Sequence, residues 1–328
     1  MNDDVKWLRT PQRPPFDAEL AEALTQVRDE MPVTVTSSGI GAIRERAART
    51  TASVEQLAAE YGVAVRIVTA TRHGGPNLRL LVARPPTPTS GALYWIHGGG
   101  VVLGDFRFGI DPALTWAAEF GVTVVSVDYR LAPEHRDPVA VEDCYAGLCW
   151  LASNARTLQV DPTRIIVGGH SAGAGLAAGT ALLARDRGGP RAHGQLLLCP
   201  MLDDREQTVS SRLLAGEGVW DRTANRTAWA ARLGARRGGP TVSAYSAPAR
   251  AGDLGGLPPA FLDVGSVDTF RDETVEYASR IWSDGGEAEL HVWPGAYHCF
   301  EIVAPAATLS TAAVRCRAGW LRRRLEAS

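Results

Sequence analysis

RIIVGGHSAGAGLAAGTALL, residues 164–183, joins an apolar run of strand length to an alanine-rich stretch of helix length, and at the junction Gly169, Ser171 and Gly173 spell GxSxG. Taken alone, the pentapeptide also fits a helix N-cap serine. Its context says more. A serine on a tight strand-to-helix turn projects its hydroxyl from the sheet edge, with glycines on either side because the turn leaves no room for Cβ atoms. The helix that follows offers its dipole and free N–H groups to developing negative charge. Ser171 is therefore the candidate nucleophile.

Working outward, the same alternation repeats. ALYWIH (92–97), TVVSVDY (123–129), GQLLLCP (194–200), PAFLDVG (259–265) and AELHVWP (288–294) are apolar and strand-sized, and helix-sized stretches such as 138–155 and 171–187 lie between them. Apolar strands alternating with helices predict a parallel sheet covered on both faces. Ahead of them, VAVRIVTA (63–70) and LRLLVARP (78–85) flank the turn-rich TRHGGPN and predict an antiparallel pair. The expected fold is α/β, with a mostly parallel eight-stranded sheet flanked by helices.

Two segments fall outside this rhythm. Residues 1–60 read as an N-terminal helical cap, from the apolar spacing of PPFDAELAEAL and SVEQLAAEYG. Residues 203–250 are too long for a simple crossover and read as a cap insertion folded over the sheet's active edge. The core then comprises 61–202 and 251–328. Trp220 and Trp229, inside the insertion, are the aromatic candidates for substrate contact, against the ordinary alternative of packing.

Composition narrows the functional classes. With 34 Lys+Arg against 36 Asp+Glu in 328 residues, no strong field is available to attract nucleic acid or an anionic membrane surface. A neutral or apolar small molecule suits the chain better. MNDDVKWLRT carries acids where a signal peptide has a basic region, and no apolar run approaches the ~20 residues of a membrane span, so a cytoplasmic, uninserted protein is expected. The five cysteines, 144, 149, 199, 299 and 316, include no CxxC, and the histidines form no HExxH. Neither a disulfide framework nor a metal site is expected.

In ALYWIHGGGVVLGD, His97 and the glycines 98–100 follow directly on a strand. Three glycines let the backbone turn its N–H groups inward, and in acyl transfer a fixed donor to the oxyanion contributes about 2.7–4 kcal/mol. Gly98 and Gly99 are the candidate donors, with the Ala172 N–H, which follows the nucleophile, as the third. A phosphate cradle is the rival reading, but no GK[ST] follows and no acid is placed for a ribose. His97 reads as a brace for the loop.

VDYRLAPEH (127–135), LPPAFLDVGSVDTFRDE (257–273) and PGAYHCF (294–300), added to the two glycine motifs, make residues 60–325 resemble the hormone-sensitive-lipase-like bacterial esterases of the α/β-hydrolase superfamily. In that fold the acid and the histidine follow the nucleophile on loops behind later strands. Asp268 lies just past PAFLDVG in the stretch that resembles the family's acid loop, whereas Asp263 is inside the strand and Asp272 opens the next helix. His298 follows the last strand, and His291 lies within it. A triad of Ser171, His298 and Asp268 is expected, with Asp128, Tyr129, Arg130 and Glu134 forming a polar lattice beneath the glycine loop.

The resemblance implies no metal or organic cofactor, short- to medium-chain carboxylic esters as substrates, and a homodimer surface at the final strand and helix. A lactone or a specific acetyl ester would use the same triad. A ligand receptor on this fold is the non-enzymatic alternative, but such relatives characteristically lack the histidine that this chain retains. Two positions depart from the family pattern: His170 stands where an acid is usual, and Cys299 where glycine is usual. Cys299 is not expected to act as a nucleophile, since nothing places a base and oxyanion donors around it.

Overall fold

The computed structural model describes residues 12–27, 34–71 and 75–326; the expectations for MNDDVKWLRT and for the centre of the TRHGGPN turn lie outside them. The strands are β1 (Ala64–Ala70), β2 (Leu78–Arg84), β3 (Ala92–Ile96), β4 (Thr123–Val127), β5 (Ile165–His170), β6 (Gly194–Leu198), β7 (Ala260–Gly265) and β8 (Ala288–Trp293). They form one sheet in the order β1-β2-β4-β3-β5-β6-β7-β8. β1 and β2 pair antiparallel, as do β2 and β4, and every later pairing is parallel.

Before the sheet come α1 (Ala18–Val27), α2 (Ile40–Thr50) and α3 (Val54–Tyr61); α4 (Asp111–Phe120) and α5 (Val139–Ser153), with its short continuation α6 (Ala155–Leu158), flank β4. α7 (Ala172–Asp186) follows β5. Residues 203–250 carry α8 (Ser210–Leu213) and α9 (Arg222–Leu233), and the chain closes with α10 (Arg271–Ser283), α11 (Phe300–Val303) and α12 (Thr308–Glu326). α3 starts where its sequence says it should: the Ser53 hydroxyl accepts from the Gln56 N–H, the Gln56 side chain accepts from the Ser53 N–H, and Gly62 ends the helix in the left-handed conformation.

The strands are apolar throughout because both faces are covered. Along β3, Tyr94 and Ile96 face one core with Val167, Leu176 and Leu262, while Leu93 and Trp95 face the other with Trp116, Ile166 and Trp320. α7 is buried on nearly every side and composed largely of Ala and Gly. A Cβ at Gly175 would stand 2.1 Å from the Met201 carbonyl oxygen and one at Gly179 2.0 Å from that of Tyr245, so this close approach requires glycine.

A third, smaller core binds the N-terminal segment to the far end of the chain. Leu20 of α1 is buried with Ala296, Tyr297 and Phe300, the Phe16 ring meets Tyr297 edge-on at 5.7 Å, and the Asp17 N–H donates to the Gly295 carbonyl at 3.0 Å. α1 therefore braces the loop that follows β8. Leu20→Ala should cost about 2–5 kcal/mol of stability, read by urea denaturation, whereas Ile302→Ala at a half-exposed position should stay within about 0.5 kcal/mol.

Candidate active site

Five adjacent strands, β3, β5, β6, β7 and β8, deliver their carboxyl ends to one edge of the sheet, where open α/β sheets bind their ligands. Ser171 stands on the turn from β5 to α7 with φ 59° and ψ −121°, a backbone conformation that costs a residue with a side chain about 1–3 kcal/mol. The surroundings impose it. Its N–H donates to Leu198 O at 2.8 Å, and its carbonyl accepts from Gly175 and Met201, each at 3.1 Å. A Cβ at Gly169 would meet Ile96 O at 2.5 Å, and one at Gly173 would meet it at 2.0 Å.

His298, on the loop after β8, brings Nε2 to 2.9 Å from Ser171 Oγ and Nδ1 to 2.8 Å from Asp268 Oδ2. The other Asp268 oxygen accepts from the Phe270 N–H at 2.9 Å. All three side chains are at least 95% buried. The Phe270 ring stands edge-on to His298, with centroids 5.1 Å apart, and covers that side of the imidazole. Phe270 was not singled out in the sequence, although it lies two residues beyond Asp268 in the same motif. The other acids of the stretch go elsewhere: Asp263 accepts from Arg317, and Glu273 from the Leu202 and Asp203 N–H groups.

Gly98 lies directly beside Ser171, since a Cβ there would be 3.5 Å from Ser171 Cβ and 2.9 Å from His170 O. Gly99 and Gly100 take φ of 94° and 63°, and Val101 also adopts a positive φ of 63°. Ala172 opens α7, where N–H groups have no intrahelical partner. Tyr129 holds the loop from below, its hydroxyl lying 2.9 Å from His97 O and 3.2 Å from Gly98 O. His97 stacks on Tyr129 at 4.1 Å and donates from Nδ1 to Gly98 O. Burial lowers its pKa to about 4, so it braces the loop as a neutral ring.

The expected lattice around VDYRLAPEH is not formed as such. Asp128 pairs with Arg79, Arg130 with Asp143 and Glu134 with Arg44, because strand and helix partners outside the motif reach these groups first. Of the four, it is Tyr129 whose side chain hydrogen-bonds to the glycine loop. Arg44, unmarked in the sequence, ties α2 to that loop by donating to Val102 O at 2.5 Å and Ala132 O at 2.6 Å.

Of the two tryptophans, Trp220 reaches the site. Its ring lies 6.4 Å from His298 and against Gly100, where a Cβ would meet it at 2.8 Å. Trp229 is fully buried, with the Arg232 guanidinium 5.3 Å from its ring. Cys299 adopts φ 60°, which accounts for glycine being usual there. Donor atoms of His170, Cys199 and Cys299 lie within 4.8 Å of one another, as do those of Cys199, Asp268 and His298. Linear spacing could not reveal either group, because each gathers residues from separate strand ends.

A family profile for the alpha/beta hydrolase fold matches residues 93–302. Carboxylesterase NlhH of Mycobacterium tuberculosis is 34% identical over 316 residues, covering 92% of this chain and 95% of the relative. The chain belongs to the hormone-sensitive-lipase-like esterases of the α/β-hydrolase superfamily. It is a carboxylic-ester hydrolase. Among solved structures, "Bacterial Heroin Esterase" superposes with a TM-score of 0.87 at 38% identity, covering 95% of this chain and 98% of that one. Esterase LipW from Mycobacterium marinum gives 0.86 at 33%, covering 96% and 99%. No helix among the described residues is long and apolar enough to cross a membrane.

The glycine loop of this esterase depends on the Tyr129 hydroxyl for two of its carbonyls. Tyr129→Phe should therefore lower stability by about 1–3 kcal/mol and reduce kcat/KM for an ester substrate; unchanged values of both in thermal melts and steady-state assays would show that the loop holds itself.

Proposed function

We propose that this esterase hydrolyses short- to medium-chain carboxylic esters through an acyl-enzyme formed on Ser171. The observation that carries the reading is the hydrogen-bonded chain Ser171–His298–Asp268, 2.9 and 2.8 Å long at its two links, with Gly98 beside Ser171 and with Gly98, Gly99 and Ala172 as the candidate N–H donors. His298 Nε2 takes the Ser171 proton as Oγ attacks the ester carbonyl, and the resulting oxyanion accepts from the three N–H donors. His298 then passes the proton to the departing alcohol. Water, deprotonated by the same nitrogen, releases the acid and restores the serine. Asp268 fixes the imidazole tautomer and stabilises its cation without taking the proton.

Residues 1–60 and 203–250 serve as the cap in this reading. Support comes from Arg44 on the glycine loop, Leu20 behind the histidine loop, and Trp220 over both Gly100 and His298. Trp220 would then meet the substrate beside the carbonyl. A panel of acetate to decanoate esters, with lactones beside them, measures the acyl preference; turnover of lactones alone would replace the ester assignment.

Ser171→Ala should reduce ester turnover by about three or more orders of magnitude while leaving the fold intact, and an organophosphonate should label Ser171 alone. Labelling elsewhere, or near-normal turnover in the variant, sinks the mechanism. The pH profile follows from His298. Burial is the largest single influence and disfavours its cation, but Asp268 and Cys199 together outweigh it and hold the pKa well above the ordinary histidine value. A base must be neutral to act, so kcat/KM should fall as pH drops through this raised pKa. The acid limb should lie above that of an exposed histidine, and a limb on the acid side of it contradicts the role.

A further inference from the structure

His170, Cys199 and Cys299 take no part in the reaction just described, yet three strand ends converge to bring them together. His170 closes β5, Cys199 follows β6, and Cys299 follows His298 on the loop after β8. One donor atom from each lies within 4.8 Å of the other two. Both cysteines are free thiols held at positive φ, 39° and 60°, so the fold maintains them against local backbone preference. His170 is 8% exposed, and its Nε2 is buried without a hydrogen-bond partner. Glu301 Oε1 stands 3.7 Å from that nitrogen, its charge shared with Arg317.

Two thiols and an imidazole are the donor set of a thiophilic, four-coordinate cation. Around zinc such donors lie about 3.4–3.8 Å apart, a contraction from separations of at most 4.8 Å that rotation of the thiols can supply. Cys299 is the least buried of the three residues. Cys199 also belongs to the second donor group, with Asp268 and His298. A cation on Cys199 is therefore within reach of the imidazole that Ser171 needs.

We propose that His170, Cys199 and Cys299 form a zinc-binding site whose occupancy switches the esterase off. Binding sends the two thiol protons to solvent, takes the lone pair of neutral His170, and draws His298 from Ser171 into the fourth position. The two positions that depart from the family pattern, His170 and Cys299, are both ligands. The inhibitory arm rests on the reading of His298 as the base; the binding arm does not.

The test uses full-length protein freed of metal with a chelator and then titrated with zinc or cadmium. Zinc should lower turnover of p-nitrophenyl butyrate by about tenfold or more, as expected of typical coupling between sites, and EDTA should restore it. Cadmium should produce the ultraviolet thiolate-to-metal charge-transfer band. Cys299→Gly, which also relieves the backbone strain, should keep turnover in metal-free buffer and lose both responses, with Cys299→Ser as a second variant. His170→Ala should weaken zinc binding. A wild-type protein without the cadmium band, or inhibition of equal depth in Cys299→Gly, overturns the site. A band without inhibition overturns the switch. Failure of Ser171→Ala to lose activity would instead condemn the mechanism and leave the cadmium result standing.

Discussion

The fit between the end of β3 and the turn from β5 to α7 is the constraint on which the rest of this structure depends. Gly169 and Gly173 stand so close to the Ile96 and His97 carbonyls that neither position has room for a Cβ. That closeness places the first turn of α7 against the glycine loop, and it leaves Ser171 at a φ of 59° with its hydroxyl beyond the sheet edge. Backbone bonds from β6 complete the arrangement, since Leu198 and Met201 grip the Ser171 amide and carbonyl. The local strain is tolerable because parallel strands buried on both faces cannot shift to relieve it.

Around this fixed centre the remaining groups arrive on loops, and each loop is held from outside. The glycine loop is supported below by Tyr129 and from the side by Arg44 of α2. The histidine loop rests on Leu20 and Phe16, and the Asp17 N–H closes on Gly295 so tightly that a Cβ there would stand 2.4 Å away. The N-terminal helices thus reach both loops that flank the serine, α2 the glycine loop and α1 the histidine loop.

Much of this was legible in the sequence, because its signals are local. Strand-length apolar runs, the glycines about Ser171, and an acid and a histidine each just past a strand depend on short windows, and the eight strands fall where the runs predict them. What escaped depends on pairing between distant segments. Arg44 is one of many arginines until α2 is laid against Val102. The polar residues of VDYRLAPEH look like a set in sequence, but Arg79, Asp143 and Arg44 separate them in space. The cysteine and histidine cluster was invisible for the same reason, as its donors share no window and meet only through the order β5-β6-β7-β8.

Strand geometry also decides among the acids near the site. Asp263 lies within β7 and turns away from Ser171, where Arg317 at 2.6 Å and the Trp293 indole at 3.1 Å occupy one of its oxygens. Glu273, on α10, spends its carboxylate on the backbone of the loop after β6, and burial pushes its pKa up. Asp268 follows the end of β7, with the chain turned by the Gly265–Asp268 backbone bond, and this is what brings its carboxylate to His298. Three buried carboxyl groups within eleven residues therefore do not compete for one imidazole: one is taken by a guanidinium, one by amide groups, and the third is left to the histidine. The protonation of His298 is accordingly set by burial, by Asp268 and by the neighbouring Cys199.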